Sequence, residues 1–452
     1  MTSFTCAKTK QLVSLTEQIA SSGEGEVWRT SRPKVLAKIY HAPDEERAKK
    51  LDIMVKHAPA DPNAHKNHVS FAWPQSVLKD AQGKVVGFLM PEIVGGEELV
   101  NVCNPSRRKR LGLEIDWWFL HVAARNVAAL VQAIHKEGYV LGDIKLQNIL
   151  VNSRALPSII DIDSFQVRDA ATGKVYRCPV ASEGFTPVEL LGKDIATVTQ
   201  LEEHDRFRLG VVMYYLLFGN HPFQGQWTGA GESPELNELI RQGFWPFAPN
   251  SLLQPSNRTI PLKVVDPGVL NCFLKCFNAG HENSSVRPTA RDWVEALKIA
   301  SNDLNSCNKV NNHHYSSAYK NCYWCERKNL LNVDIFNLNK NELKPNLDPG
   351  LTNIFSAEDI ENLVKQDGKN IAVFGLVHNT HHEISLGIYS IFFSNHKNIV
   401  SGYHPFKVII FSDGLRDLEN TGINVSSLNQ LTGKYLIIKG ELTLYKIGRA
   451  HV

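Results

Sequence analysis

Apolar and polar residues alternate from Gln11 to Tyr40, with a Gly-rich break at Ala20-Ser21-Ser22-Gly23-Glu24-Gly25-Glu26-Val27. That pattern predicts two or three antiparallel strands. Pro43 to His57 carries acidic residues early and lysines late, the charge order a helix dipole favours. Val85 to Ile93 reads as a buried strand running into a turn at Gly95-Gly96. Trp117 to Lys136 has helical periodicity, with Val122, Ala123, Val127, Leu130, Val131 and Ile134 on one side and a glycine C-cap at Gly138. Further helices are expected after His204-Asp205 and over Ala290 to Ala300. From about Thr352 the period changes to that of strands, at Ile371–Val377, Gly387–Phe393, Lys407–Phe411, Gly433–Gly440 and Leu442–Lys446, with a helix at Glu358–Lys365 in front. The fold class expected is α+β.

Composition narrows this only in part. At 452 residues the chain exceeds one ordinary core. With 43% hydrophobic and 21% charged residues it has the balance of a globular protein. A formal net charge of +3 neither demands nor excludes an acidic partner, and the cluster Arg107-Arg108-Lys109-Arg110 reads most simply as a solvated loop. The longest apolar run, Val211 to Phe218, falls far short of the roughly 20 residues a membrane helix needs. The first ten residues lack the apolar core of a secretory signal. The expectation is a cytoplasmic protein without a membrane span, its eight cysteines being free thiols or metal ligands.

One polar loop, Asp143-Ile144-Lys145-Leu146-Gln147-Asn148, lies between apolar segments, and Ile159-Ile160-Asp161-Ile162-Asp163 follows it. Polar groups in such a frame need partners, and a metal-bound polyphosphate is one. The spacing D-x-K-x-x-N, then a strand and a second aspartate, resembles the catalytic loop and metal-binding aspartate of the eukaryotic-type protein kinases. Other matches follow in chain order: Val35-Leu36-Ala37-Lys38, Phe185-Thr186-Pro187-Val188-Glu189, Asp205 to Gly210 with Gly219-Asn220-His221-Pro222-Phe223, and Ser285-Val286-Arg287-Pro288.

The resemblance implies a bilobal kinase-like domain over 1–300, with an N-lobe to about 93 and a C-lobe over 94–300. It implies ATP with Mg²⁺ or Mn²⁺ as cofactors and a protein substrate. Asp143 would orient the attacking hydroxyl, Lys145 would neutralise the moving phosphoryl group, and Lys38 would pair with the phosphates. Gly23, Gly25 and Val27 would cover the nucleotide, and Asn148, Asp161 and Asp163 would hold the metal, Asp161 first. A helix glutamate should hold Lys38, Glu45 and Glu46 being equally available. Arg287 could pair with Glu189. Two departures stand out. Leu141-Gly142 replaces the His-Arg that normally precedes the catalytic aspartate, removing the usual receiver of an activation-loop phosphate. The glycine loop has Ala20 and Ser22 where glycines are usual.

Cys307, His313-His314 and Cys322-Tyr323-Trp324-Cys325 have the composition of a structural zinc knuckle over 301–328. Cys307, His314, Cys322 and Cys325 are the expected ligands, with His313 as substitute. After a linker over 329–350, residues 351–452 resemble an OB-like β-barrel through Leu431-Thr432-Gly433-Lys434 and Ile438-Lys439-Gly440-Glu441-Leu442. Tyr389, Phe392, Phe393, Tyr435, Lys397, Lys407, Lys434 and Lys439 could meet single-stranded nucleic acid there. The arrangement is similar to bacterial Ser/Thr kinases of the tellurium-resistance-associated phosphorylation triad, whose other members are a phosphatase and a von Willebrand A-domain protein. The function expected is protein Ser/Thr kinase; the alternative is a pseudokinase scaffold that binds nucleotide without turnover.

Overall fold

A computed structural model describes residues 2–336 throughout and, beyond them, 354–356, 370–377, 379–383, 388–392, 407–410, 428 and 435–441. The chain divides into two units, Met1–Leu338 and Asn339–Val452.

The first unit opens with six antiparallel strands: β1 (Ser3–Cys6), β2 (Leu12–Ser21), β3 (Gly25–Thr30), β4 (Val35–Tyr40), β5 (Ser76–Lys79) and β6 (Val85–Pro91). They close into a barrel in the order β1-β2-β3-β4-β6-β5. Strand alternation divides β4 between two environments. Ala37, Val35 and Ile39 pack into the barrel with Val13, Leu15, Leu78 and Leu89, while Lys38 and Tyr40 reach acidic groups of the following lobe. At Gly25 a β-carbon would lie 2.3 Å from the Ile39 carbonyl oxygen, so only glycine lets β3 and β4 approach this closely. Helix α1 (Glu45–Lys56) starts at Asp44, whose carboxylate accepts the Arg47 N–H at 2.7 Å, and buries Lys50, Leu51 and Met54.

The second lobe is built on helix α4 (Trp117–Lys136), capped by Asp116. Its inward residues Leu120, Val127, Leu130, Val131 and Ile134 are at most 2% exposed. Each such side chain contributes roughly 1.5–3 kcal/mol of burial. Two short helices precede it, α2 (Leu99–Cys103) and α3 (Pro105–Leu111). The basic cluster is therefore helical rather than a solvated loop, and Arg108 is buried with its guanidinium donating to the Val102 and Cys103 carbonyls. Strand β7 (Glu97–Glu98), β8 (Ile149–Val151) and β9 (Pro157–Ile159) form a small antiparallel sheet flanking the polar loop. Helix α5 (Glu202–Phe218) is buried along most of its length, and helix Ala290–Asn302 closes the lobe through a Thr289–Asp292 capping box.

The cysteine-rich segment joins this same core. Trp324 packs edge-on against Trp117 with centroids 4.9 Å apart, and its indole N–H donates to the His314 carbonyl. The core runs on to Phe336, past the segment's expected end at 328.

In the second unit, strands Ile354–Ser356, Asn370–Leu376 and Tyr435–Glu441 form one sheet, its first pair parallel and its second antiparallel. Asn379–Glu383, Ile388–Phe392 and Lys407–Ile410 form a second, antiparallel sheet. Among the described residues these strands form two three-stranded sheets, and closure into the expected barrel is not shown. The helix expected at 358–365 and the strand at 442–446 lie outside the described residues, as do Phe393, Lys397 and Lys434.

Candidate active site and metal centre

The polar loop is held from below by one buried carboxylate. Asp205, at the start of α5, accepts the backbone N–H groups of Leu141 at 2.6 Å and Gly142 at 3.0 Å. His135 and Arg208 contact the same carboxylate, each at 3.1 Å. Burial raises the Asp205 pKa, but the His135 hydrogen bond and the Arg208 charge outweigh it and hold the group below its ordinary range. Gly142 has φ of +74°, and a β-carbon there would lie 2.5 Å from Cys178 Cβ. The position where an arginine was missed in the sequence has no room for one.

Asp143 is buried at the cleft floor. Its Oδ1 accepts the Ser182 hydroxyl at 2.6 Å, and its Oδ2 lies 3.6 Å from Lys145 Nζ. Ser182 was not anticipated from sequence; it lies seven residues before Glu189, too far from Asp143 in the chain for spacing to relate them. Glu189 itself receives both terminal nitrogens of Arg287, at 2.5 and 2.9 Å. Burial raises its pKa, and the Arg287 hydrogen bonds more than reverse this.

Asn148 ends the loop, and its carbonyl accepts the Ile160 N–H at 2.9 Å, placing it beside the start of the next turn. There Asp161 adopts φ +57°, ψ +40°, a left-handed conformation uncommon for a residue with a β-carbon. Such outliers gather at functional sites. Asp161 Oδ1 accepts from Lys38 Nζ at 2.9 Å, and Asp163 Oδ1 accepts from the same ammonium at 2.7 Å. The other oxygen of Asp163 accepts the Tyr40 hydroxyl at 2.8 Å. Burial lowers the Lys38 pKa, but the two carboxylates together shift it upward on balance. Burial and Asp163 both push the Tyr40 phenol upward.

Neither expected helix glutamate meets Lys38. Glu45 lies 3.7 Å from Lys49, and Glu46 lies 3.4 Å from Lys174. The residue α1 does send into the site is Lys50, whose Nζ donates to the Asp163 carbonyl at 2.6 Å. Burial draws its pKa down to about 8, against the pull of Asp163. Gly23 stands at the exposed tip of the β2–β3 hairpin, and Val27 lies opposite Lys38 in the β3–β4 register.

In the cysteine segment, ligand atoms of Cys307, His313, Cys322 and Cys325 lie within 4.8 Å of one another. Cys307 and Cys325 sulfurs are 3.6 Å apart, and His313 Nδ1 is 3.6 Å from Cys322 and 3.5 Å from Cys325. Tetrahedral zinc–thiolate bonds would put sulfurs about 3.7 Å apart, so this donor set fits zinc. His314 is not in the cluster; His313 takes the place assigned to it. The chain turns at His313 so that its ring faces the sulfurs and its Nε2 meets Asp334 Oδ1 at 3.0 Å, the carboxylate partner that fixes a ligating imidazole. His314 instead pairs with the cap of α4, its Nε2 lying 3.1 Å from Asp116.

Residues 78–296 match the family model for the protein kinase domain. The chain is 31% identical over 329 residues to protein kinase YegI of Escherichia coli strain K12, which covers 71% of this chain and 50% of that protein. It is 24% identical over 235 residues to the serine/threonine-protein kinase drp72 of Corynebacterium efficiens, covering 50% of this chain and 42% of the relative. Over 216 residues it is 24% identical to PknA of Corynebacterium glutamicum, covering 47% and 42%. The chain spans about half the length of the curated relatives it matches. Its first unit has a protein-kinase-like fold, and the family match begins within β5, after Lys38 and the glycine hairpin. Among the described residues no helix is long and apolar enough to cross a membrane.

Proposed function

We propose that this divergent kinase of the bacterial eukaryotic type transfers the γ-phosphoryl group of ATP to a serine or threonine hydroxyl of a protein. The observation that carries this reading is the pairing of Lys38 with Asp161 and of Asp143 with Lys145, on two turns joined by the Ile160 N–H to Asn148 carbonyl hydrogen bond. Asp143 accepts the hydroxyl proton, Lys145 offsets phosphoryl charge, and Lys38 engages the phosphates. Asn148 and Asp161 would hold a divalent cation, which supplies charge neutralisation to the phosphates when bound. The Ser182 hydroxyl, which donates to Asp143 Oδ1, stands where a substrate hydroxyl would be received.

Incubation of the purified chain with labelled ATP, Mg²⁺ and a generic acceptor protein tests this. Label should appear on the chain or the acceptor and fall about 10²–10⁴-fold in Asp143→Asn with the melting temperature unchanged. Nucleotide binding with equal, background labelling of both proteins would instead support the scaffold reading.

The Cys307–His313–Cys322–Cys325 cluster takes structural zinc in this reading. The second unit is a binding module of OB type, with Tyr389, Phe392, Lys407, Tyr435 and Lys439 on its strands. Binding of a fluorescent oligonucleotide that weakens steeply with salt would support nucleic acid as its ligand; salt-independent or absent binding would leave a protein partner.

A further inference from the structure

The helix that should present a carboxylate to Lys38 presents a lysine. The inward face of α1 carries Lys50, Leu51 and Met54, and both early glutamates make their contacts elsewhere. Lys38 nevertheless has a buried carboxylate partner: the side chain of Asp163 is 4% exposed against 43% for Asp161. The two aspartates differ in more than exposure. Every oxygen of Asp163 is engaged by a protein donor, Oδ1 by Lys38, Oδ2 by Tyr40 and the carbonyl by Lys50. Asp161 gives Oδ1 to Lys38 and Ser164 takes its carbonyl, while Oδ2 has no hydrogen-bond partner among the described residues.

We propose that the two aspartates have divided roles: Asp161 is the metal ligand, Asp163 is the counter-ion that fixes Lys38 in place of a helix glutamate, and Lys50 positions Asp163. Alternation along β4 aims Lys38 and Tyr40 at the same carboxylate, since residues two apart share a face. A divalent cation on Asp163 would have to displace a phenol hydrogen bond and sit against an ammonium in a buried site, which is electrostatically costly. Asp161, half-open and one donor short, has an oxygen free for the ion. Lys50 thereby ties α1 to the turn that carries the metal ligand, the connection a helix glutamate would otherwise make through Lys38.

The proposal rests on the kinase reading only for the identity of the ligand, Mg²⁺–ATP. Binding is measured on the full chain by calorimetry, titrating ATP at fixed Mg²⁺ and Mg²⁺ at fixed ATP. Asp161→Asn should raise the Mg²⁺ half-saturation about tenfold or more, as loss of a ligand does, and Asp163→Asn should leave it within about twofold. Asp163→Asn and Lys50→Met should each weaken ATP binding about tenfold, with Lys50→Arg recovering most of the loss because it keeps a donor. An Mg²⁺ response lost equally in Asp161→Asn and Asp163→Asn would overturn the division, as would wild-type ATP affinity in Lys50→Met.

A second readout needs neither nucleotide nor turnover. In thermal unfolding without ligand, the double-mutant cycle Lys38→Met with Asp163→Asn should show larger coupling than Lys38→Met with Asp161→Asn. Equal or reversed coupling sinks the proposal. A chain that shows the expected coupling but transfers no phosphate would remove the proposed function and keep this one.

Discussion

On the floor of the cleft, Asp143 belongs to a loop whose backbone is clamped by a fully buried carboxylate, and that carboxylate is clamped in turn by His135 and Arg208. On its roof, Lys38 is held by the side chains of Asp161 and Asp163, and Asp163 in turn by the Tyr40 hydroxyl and, at its carbonyl, by Lys50. The floor fixes its chemistry through main-chain groups and distant buried anchors. The roof fixes its lysine through charges that neutralise one another across the cleft. A floor so built tolerates little change in which residues do the anchoring. A roof built on mutual neutralisation works with any carboxylate that reaches Lys38, which is how a helix lacking an inward glutamate can still serve.

The largest effect should come from the floor's most distant anchor. Arg287 is 1% exposed at its side chain and donates to Glu189, to the Glu203 carbonyl and to the Gly280 carbonyl. Arg287→Ala leaves a half-buried carboxylate and two carbonyls short of a donor, and should cost about 3 kcal/mol in unfolding free energy. Urea melts check this; a loss below 1 kcal/mol would mean the floor is not anchored as described. The pH dependence has a definite sign. The folded Glu189 pKa lies below its ordinary 4.5. The pair therefore stabilises fully above that value and loses its contribution as pH falls through the folded pKa. The gap between wild type and Arg287→Ala should narrow as pH falls below 4.5.

Metal removal should come next, and it probes the floor from its far side. The cysteine segment shares a core with α4 through Trp324 on Trp117. Arg108 of α3 ties the segment to the same lobe, donating to the Ile335 carbonyl and stacking 5.3 Å from the Phe336 ring. Cys322→Ser, or a strong chelator, should lower zinc content measured by atomic absorption. It should also lower the melting temperature of the first unit by several degrees, as loss of a few kcal/mol does in a domain of this size. If zinc is lost and the melting temperature stays put, the segment is an appendage and the comparison must leave it out.

How much of this was legible beforehand follows the same division. The floor is written in short-range spacing, so Asp143, Lys145, Asn148 and the helix over Trp117 to Lys136 could be read directly, as could the helix that opens near Asp205. The Arg287–Glu189 pair was also within reach, because both residues sit in ordered motifs. The roof was less legible because its pairing is long-range: Lys50 and Asp163 are 113 residues apart. In α1, charged residues outnumber apolar ones, and the inward partner expected of it was Glu45 or Glu46. Leu51 and Met54 marked its inward face, and Lys50 beside them was the available signal. His313 and His314 could not be separated by composition, since neighbouring side chains point apart and only the turn decides which ring meets the sulfurs. Arg108 looked solvated among four basic residues because nothing in its own segment shows Phe336 waiting more than two hundred residues away.

The smallest effects should come from the two helix caps, one on each side of the cleft, and they sharpen the comparison most cleanly. Asp44 caps α1 by accepting the Arg47 N–H, and Asp116 caps α4 by accepting the Phe119 N–H, both at 2.7 Å. As caps alone, either aspartate replaced by alanine should cost about 1 kcal/mol. Their surroundings separate them. Asp44 is exposed and, among the described residues, its carboxylate makes a further ion pair only with Arg47 of its own helix, whereas Asp116 also lies 3.1 Å from His314 Nε2. Asp116→Ala should therefore cost more than Asp44→Ala in urea melts and leave ATP affinity unchanged, because α4 is fixed by its buried face. Asp44→Ala should cost less stability yet weaken ATP binding, because fraying α1 loosens Lys50 and through it Asp163 and Lys38. If the order of the two stability losses were reversed, or if Asp116→Ala alone affected ATP, the floor would not be the rigid side of the cleft.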